Sequence, residues 1–169
     1  MLLRELDLSK NLKVSNMCLF VKNNNVKVAK KDIVCYKVLK YMKSSHSPTG
    51  TILCTPFANQ MVSEEIVNGN FDFEAVGTPK IEQEDDNEYS ISEGYIHTCA
   101  DKESADVVYL QCVYYHETYC ANEFEIYECV IPKGTRYYEG VYSHDKLISR
   151  ASYASEKIRF VKKLDISNL

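Results

Sequence analysis

Gly94-Tyr95-Ile96-His97-Thr98-Cys99-Ala100, a helical stretch opening at Asp101, Glu123 to Ile131, Pro132-Lys133-Gly134 and the closing Ser155-Glu156-Lys157-Ile158-Arg159-Phe160 together decide the fold class of this chain. The first run is a short apolar strand. Asp101 suits an N-cap, because its carboxylate can accept from the free N–H groups of a first helical turn, and Glu103 sits near the positive end of the helix dipole. Ala105, Val108, Tyr109, Cys112, His116 and Tyr119 recur at helical spacing, so the principal helix is predicted over about 101–119. In the strand Glu123 to Ile131, Phe124 and Ile126 share one face but Glu128 falls on the same face, which predicts a bulge near Tyr127. In the last strand, Lys157 to Lys163, Ile158 and Phe160 point inward, while Lys157, Arg159 and Lys163 point outward as on a charge-defended edge. The pattern implies an α+β fold, a mainly antiparallel mixed sheet with one principal helix.

Working outward, Met17 to Lys22 reads as a strand, Asn23-Asn24-Asn25 as a turn and Ile33 to Met42 as a longer strand, in a hairpin-like or meander arrangement. Val34, Tyr36 and Val38 share one face of the second run, and Cys35, Leu39 and Tyr41 share the other. Both faces are partly apolar, so this strand belongs at the centre of the sheet. Ser44 to Gly50 has loop chemistry, Thr51 to Cys54 and Phe71 to Val76 read as strands, and Asn59 to Val67 is open between a helix and an irregular strand. Glu82, Glu84, Asp85, Asp86 and Glu88 have no apolar period and read as a solvated acidic loop at 82–88, without the glycine that a calcium loop needs for its sharp turn.

A chain of 169 residues with 45% hydrophobic and 26% charged residues fits one domain, 1–169, with one substantial core. The formal charge of -4 offers no long-range attraction for double-stranded nucleic acid or an anionic membrane. The first residues lack the basic, apolar and small-residue segments of a signal peptide, and no window reaches the roughly 18 apolar residues of a membrane span. Seven cysteines form no CxxC pair, and several lie in apolar stretches where a thiol packs as a small hydrophobe. They are expected to be reduced, in a cytosol.

His97, Cys99, Cys112 and His116 match the ligand count of a small zinc site. The geometry argues against it: Cys112 falls about 16 Å down the helix at ~1.5 Å per residue, whereas His97 falls only about 7 Å down the strand at ~3.3 Å per residue. No metal or cofactor is therefore assigned. No cysteine is fixed beside a histidine and a third orienting group, so no catalytic residue is assigned either. Nine of the thirteen tyrosines lie between Tyr109 and Tyr153, and Tyr137, Tyr138 and Tyr142, which follow the Pro132-Lys133-Gly134 turn, are the candidate binding surface. His97, placed to hydrogen-bond the adjoining loop, completes the candidate set.

Asp32-Ile33-Val34-Cys35-Tyr36-Lys37-Val38, Gly94-Tyr95-Ile96-His97-Thr98 with Ala105, Ile131 through Gly140, and Tyr153-Ala154-Ser155-Glu156-Lys157-Ile158 resemble a family of small bacteriophage and prophage proteins, especially of gut bacteria. The likeness spans about Asp32 to Leu164. It implies a phage-type origin and an α+β fold and brings no established activity with it. The expected function is that of a non-catalytic accessory protein that binds a host, defence or phage protein. Two alternatives stand beside it. One is a nucleotide-binding protein or enzyme that resembles ADP-ribosyltransferases, with His97 or His116, Tyr137 or Tyr138, and Glu156 as its residues. The other is a structural component of the virion.

Overall fold

The computed structural model describes residues 19–41, 50–55, 58–69, 71–92, 94–115, 124–142 and 150–169. Among them run β1 (Leu19–Lys22), β2 (Lys27–Val28), β3 (Ile33–Tyr41), β4 (Gly50–Thr55), β5 (Ala58–Ser63) and α1 (Glu64–Asn68). Next come β6 (Asp72–Glu74), β7 (Ile81–Asp85), β8 (Glu88–Ile91), β9 (Ile96–Cys99) and α2 (Lys102–Tyr115). The series closes with β10 (Phe124–Ile131), β11 (Arg136–Val141), β12 (Ala151–Ser155) and β13 (Lys157–Lys163). Among the described residues the fold is thus mostly antiparallel sheet with two short helices, more sheet-dominated than an α+β fold built on one principal helix.

The strands join in the order β6-β13-β10-β3-β9-β12-β11-β1-β8-β7, with β2 on β11 and the β4–β5 hairpin on the end of β3. β3 is central as its two-sided apolar pattern predicts: it pairs along its whole length with β10, from Phe124 opposite Lys40 to Ile131 opposite Ile33, and touches β9 at Tyr36 and Cys99. One residue, Glu156, separates β12 from β13, although the sheet path between them runs through β9, β3 and β10. The sheet therefore curls until the path returns to a covalent corner at Glu156. Inside the curl lie Cys35 and Leu39 of β3, Ile96 of β9, Tyr127, Cys129 and Ile131 of β10, and Ile158 and Phe160 of β13. Tyr127 meets Phe160 edge-on, with ring centroids 5.6 Å apart. Against the outer face packs α2, whose Ala105, Val108 and Tyr109 cover Val38, Phe124 and Ile126. A third cluster, Leu19, Val21, Ile91, Tyr95, Tyr138 and Ala154, holds the wing formed by β1, β8, β11 and β12.

This two-faced packing corrects the predicted bulge. β10 buries Phe124 and Ile126 under α2 and then Tyr127, Cys129 and Ile131 inside the curl, so its pattern changes face while its register with β3 stays unbroken. The irregularity lies in the pairing with β13, where Glu128 faces Lys162 and Cys129 faces Phe160, leaving Val161 as the extra residue. β13 is an edge strand only in part. β6 pairs with its first residues, Lys157 to Arg159, and its basic residues face acids across the strands: Arg159 pairs with Asp72 at 2.8 Å, and Lys163 with Glu125 at 3.3 Å.

Other expectations shift too. β1 and β3 form no hairpin with each other; β1 pairs with β8 and β11, while Asn23 and Asn24 take positive φ in the turn that follows it. The segment left open between helix and strand is both, β5 followed by α1, with the Ser63 hydroxyl accepting from the Ile66 N–H. Acids at 82–88 occupy the β7–β8 hairpin instead of a loop, because β7 ends the sheet and an outermost strand needs no apolar alternation. The Asp101 cap holds: its Oδ1 accepts from the Ser104 N–H at 2.7 Å. His116, Tyr119 and most of the Ser44 to Gly50 stretch lie outside the described residues. Among the described residues no helix is long and apolar enough to cross a membrane.

Candidate functional site

Two of the three predicted surface tyrosines lie inside the molecule. Tyr138 is only 6% exposed, packed against Tyr95 with ring centroids 5.9 Å apart. Tyr142 is 3% exposed and donates its hydroxyl to Gln111 Oε1 at 2.6 Å, against the α2 cluster. Tyr137 is half-buried, its ring edge-on to Tyr153 at 5.7 Å. Tyrosine serves here as a core residue with a polar tip, which corrects the reading of Tyr138 and Tyr142 as surface.

His97 is buried as well. Its side chain hydrogen-bonds the Ser92 backbone in the adjoining loop, and its carbonyl accepts from Lys37 Nζ at 2.5 Å. Burial and then the Lys37 charge push the imidazole down to about 3, against the opposing Ser92 hydrogen bond, so His97 is neutral throughout the physiological range. Burial also pushes the Cys35 and Cys99 thiols up to about 12 and raises that of Cys129 well above its usual value. These thiols are inert packing groups.

A cavity of about 380 Å³ opens at the covalent corner between β12 and β13. The ends of four strands build it: Glu74 closes β6, Tyr95 precedes β9, Arg136 opens β11, and Glu156 and Lys157 form the corner itself. The Gly77–Pro79 stretch supplies another wall. Gly94 makes that wall possible, because it takes φ +94° and any Cβ there would collide with the Thr78 carbonyl and the Pro79 nitrogen. Three of the motif stretches singled out in the sequence, those around Tyr95, Arg136 and Glu156, therefore meet at one opening.

Glu156 organises the cavity. Its Oε1 accepts from Arg136 Nε at 2.6 Å and lies 2.5 Å from Arg136 Nη2, while Oε2 accepts from the Arg136 backbone N–H at 3.2 Å. The Glu156 N–H in turn donates to the Arg136 carbonyl, and the Glu156 carbonyl accepts from the Ala75 N–H. Tyr95 adds a long hydroxyl contact to Oε1 at 3.5 Å. Burial by itself would raise the Glu156 carboxyl, but the hydrogen bonds and charge of Arg136 outweigh it and hold the group below its usual range. Burial, then the Glu156 charge, raises the Tyr95 phenol. Lys157 lies 3.8 Å from Glu74 at the rim.

Glu156 and Tyr95 thus each keep one protonation state at neutral pH, the carboxylate charged and the phenol neutral. General acid–base chemistry favours a group that titrates near the working pH, whereas recognition favours fixed charges and fixed donors. The arrangement suits the second task.

Of the cavity residues, sequence reasoning named Glu156 alone and joined it to His97, which does not line the cavity, or to His116, which lies outside the described residues. Arg136, Tyr95, Lys157 and Glu74 were missed, since 20 residues separate Arg136 from Glu156 and 61 separate Tyr95 from it. The signal that could have found Tyr95 and Arg136 was their position in the punctuated stretches beside Gly94 and the Pro132-Lys133-Gly134 turn. Comparison with protein-family models, curated proteins and solved structures found no match to the chain.

Proposed function

We propose that the chain is a small phage-type accessory protein that works in the host cytoplasm by binding a host, defence or phage protein, without catalysis, and that it makes this contact at the Glu156 corner cavity. The observation that supports this reading is the state of two cavity groups: Glu156, held low, and Tyr95, held high, each keep one protonation state at neutral pH in a polar, open recess. The buried thiols and His97 are likewise held in unreactive neutral forms. Affinity capture of the tagged chain during infection, with mass spectrometry of what it retains, tests the proposal. A stoichiometric host or defence protein, lost when the Arg136→Met variant is used, is the expected result. Capsid or tail proteins instead would move the chain to a virion role, and an empty capture would sink the protein-binding reading.

A second reading has one observation in its favour. Glu156, the glutamate of the ADP-ribosyltransferase-like alternative, shares a cavity with an arginine and a tyrosine, and its volume falls in the usual range of small-molecule sites, about 300–1,000 Å³. His97 is not part of that cavity, which leaves the histidine of the pattern unfilled by it. NAD and cyclic nucleotides in a thermal-shift series decide the matter, because a ligand at 100 times its Kd stabilises the folded state by about 2.7 kcal/mol. No shift with any of them removes the nucleotide reading.

A further inference from the structure

The hydrogen bonding around Arg136 specifies what the corner cavity can hold. Glu156 receives Nε and Nη2 of the guanidinium on one oxygen and the Arg136 backbone N–H on the other, so both of its oxygens are used in fixing Arg136 in place. A guanidinium carries five N–H donors in a planar fork, and among the described residues no acceptor lies within hydrogen-bond reach of Nη1. The Arg136 side chain is 62% exposed and lines the cavity. Lys157 presents a second cation on the same corner, and its ion pair with Glu74 is 3.8 Å long, beyond hydrogen-bond distance, to a partner 73% exposed. Two cations with unused donors therefore line a recess in which Glu156 is committed to Arg136 and Glu74 reaches Lys157 only at 3.8 Å.

We infer that the cavity recognises one carboxylate of the partner, an Asp or Glu side chain or a chain terminus, received by the free edge of Arg136 and the ammonium of Lys157. This inference rests on the protein-binding reading above and names the chemistry of its contact. A carboxylate matches the planar fork of arginine with two parallel hydrogen bonds. The charges of the lining cancel, two cations against two carboxylates, so one added negative charge meets less repulsion than two. Arg136 and Lys157 face Glu74 and Glu156, and a dianionic phosphate would bring a second charge within reach of two fixed carboxylates. Pro79 and the Tyr95 ring give the rest of the recess apolar surface against which the chain bearing the carboxylate can lie.

The test is an NMR titration of the full chain with four probes: the capped peptide Ac-Ala-Glu-Ala-NH2, Ac-Ala-Ala-Ala with a free C-terminus, the neutral control Ac-Ala-Gln-Ala-NH2, and inorganic pyrophosphate. A saturable shift of the Ala75, Gly77, Thr78, Tyr95, Arg136 and Lys157 amides is expected with at least one carboxylate peptide, and the arm that titrates identifies the source. Arg136→Lys keeps the charge but loses the fork, and should weaken that binding about tenfold, roughly one bidentate pair. Lys157→Gln, at a site that Glu156 does not hold, gives an independent loss should Arg136 variants unfold. Equal shifts with the neutral control, no shift with either acidic peptide, or pyrophosphate binding tighter than both would overturn the inference. Partner capture separates it from the broader reading: capture that survives Arg136→Lys and Lys157→Gln together refutes the cavity contact and leaves partner binding standing. Titration by peptides without any captured protein refutes the partner and leaves the carboxylate site.

Discussion

At the scale of single residues, the titration of His97 ties stability to pH. Its ordinary value is 6.5, and burial together with the Lys37 charge lowers it to about 3 in the folded chain. The folded state therefore excludes a proton that the unfolded chain takes up below pH 6.5. Stability is full above that point and falls as pH drops toward about 3, with a slope of at most about 1.4 kcal/mol per pH unit for one proton. Glu156, held low when folded, acts in the same direction at more acidic pH, where it must be protonated. Urea melts between pH 7 and 5 should show up to about 2 kcal/mol of loss, and His97→Gln should flatten that window whatever its effect on absolute stability. An unchanged slope in the variant would mean that another group carries it. Cys35, Cys99 and Cys129 lead to a simpler expectation. Iodoacetamide should leave all three unmodified in the native chain and alkylate them after denaturation, as peptide mass mapping would show.

Elements follow local chemistry closely where their ends are marked. The Asp101 cap is legible because an aspartate three residues before a free N–H needs no tertiary context, and Ser104 supplies that N–H at 2.7 Å. Asp101→Ala should cost about 1 kcal/mol, read as a lower urea midpoint at unchanged m-value; a loss below a few tenths would mean that packing alone holds α2. The centre of the sheet was equally legible, since β3 carries apolar residues on both faces. What stayed hidden were partners and closure. The Phe124, Ile126 and Glu128 slip looked like a bulge because a sequence read one strand at a time cannot see α2 over one end of β10 and the curled interior over the other. The charges of β13 looked like edge protection because their partners, Asp72 and Glu125, lie 87 and 38 residues away. The cavity was unreadable for the same reason: a long-range meeting of strand ends leaves no local spacing.

On the scale of the whole molecule, the corner at Glu156 couples the layers. β12 and β13 are one continuous run of chain that leaves the wing and re-enters the sheet beside β10, so the curled interior and the α2 face share β3 and β10 as their common wall. A defect in the interior is therefore felt on the helix side, and the described layers should unfold together. Phe160 is the place to test this. It is 2% exposed, touches Tyr127 edge-on and lies 6.4 Å from the Phe73 ring, and belongs to the strand that closes the curl. Phe160→Ala should cost about 3–5 kcal/mol and lower Tm by roughly 6–20 °C, at about 2–4 °C per kcal/mol for a chain of this size. The decisive reading is coincidence: far-UV ellipticity, which includes α2, and near-UV tyrosine ellipticity should shift by the same amount in one transition. If the variant instead lost its tyrosine signal while the far-UV transition stayed in place, the two faces of β3 and β10 would be separate cooperative units. The Glu156 corner would then act only as a covalent link between them, and the cavity built on it would lose the rigid frame on which fixed-charge recognition depends.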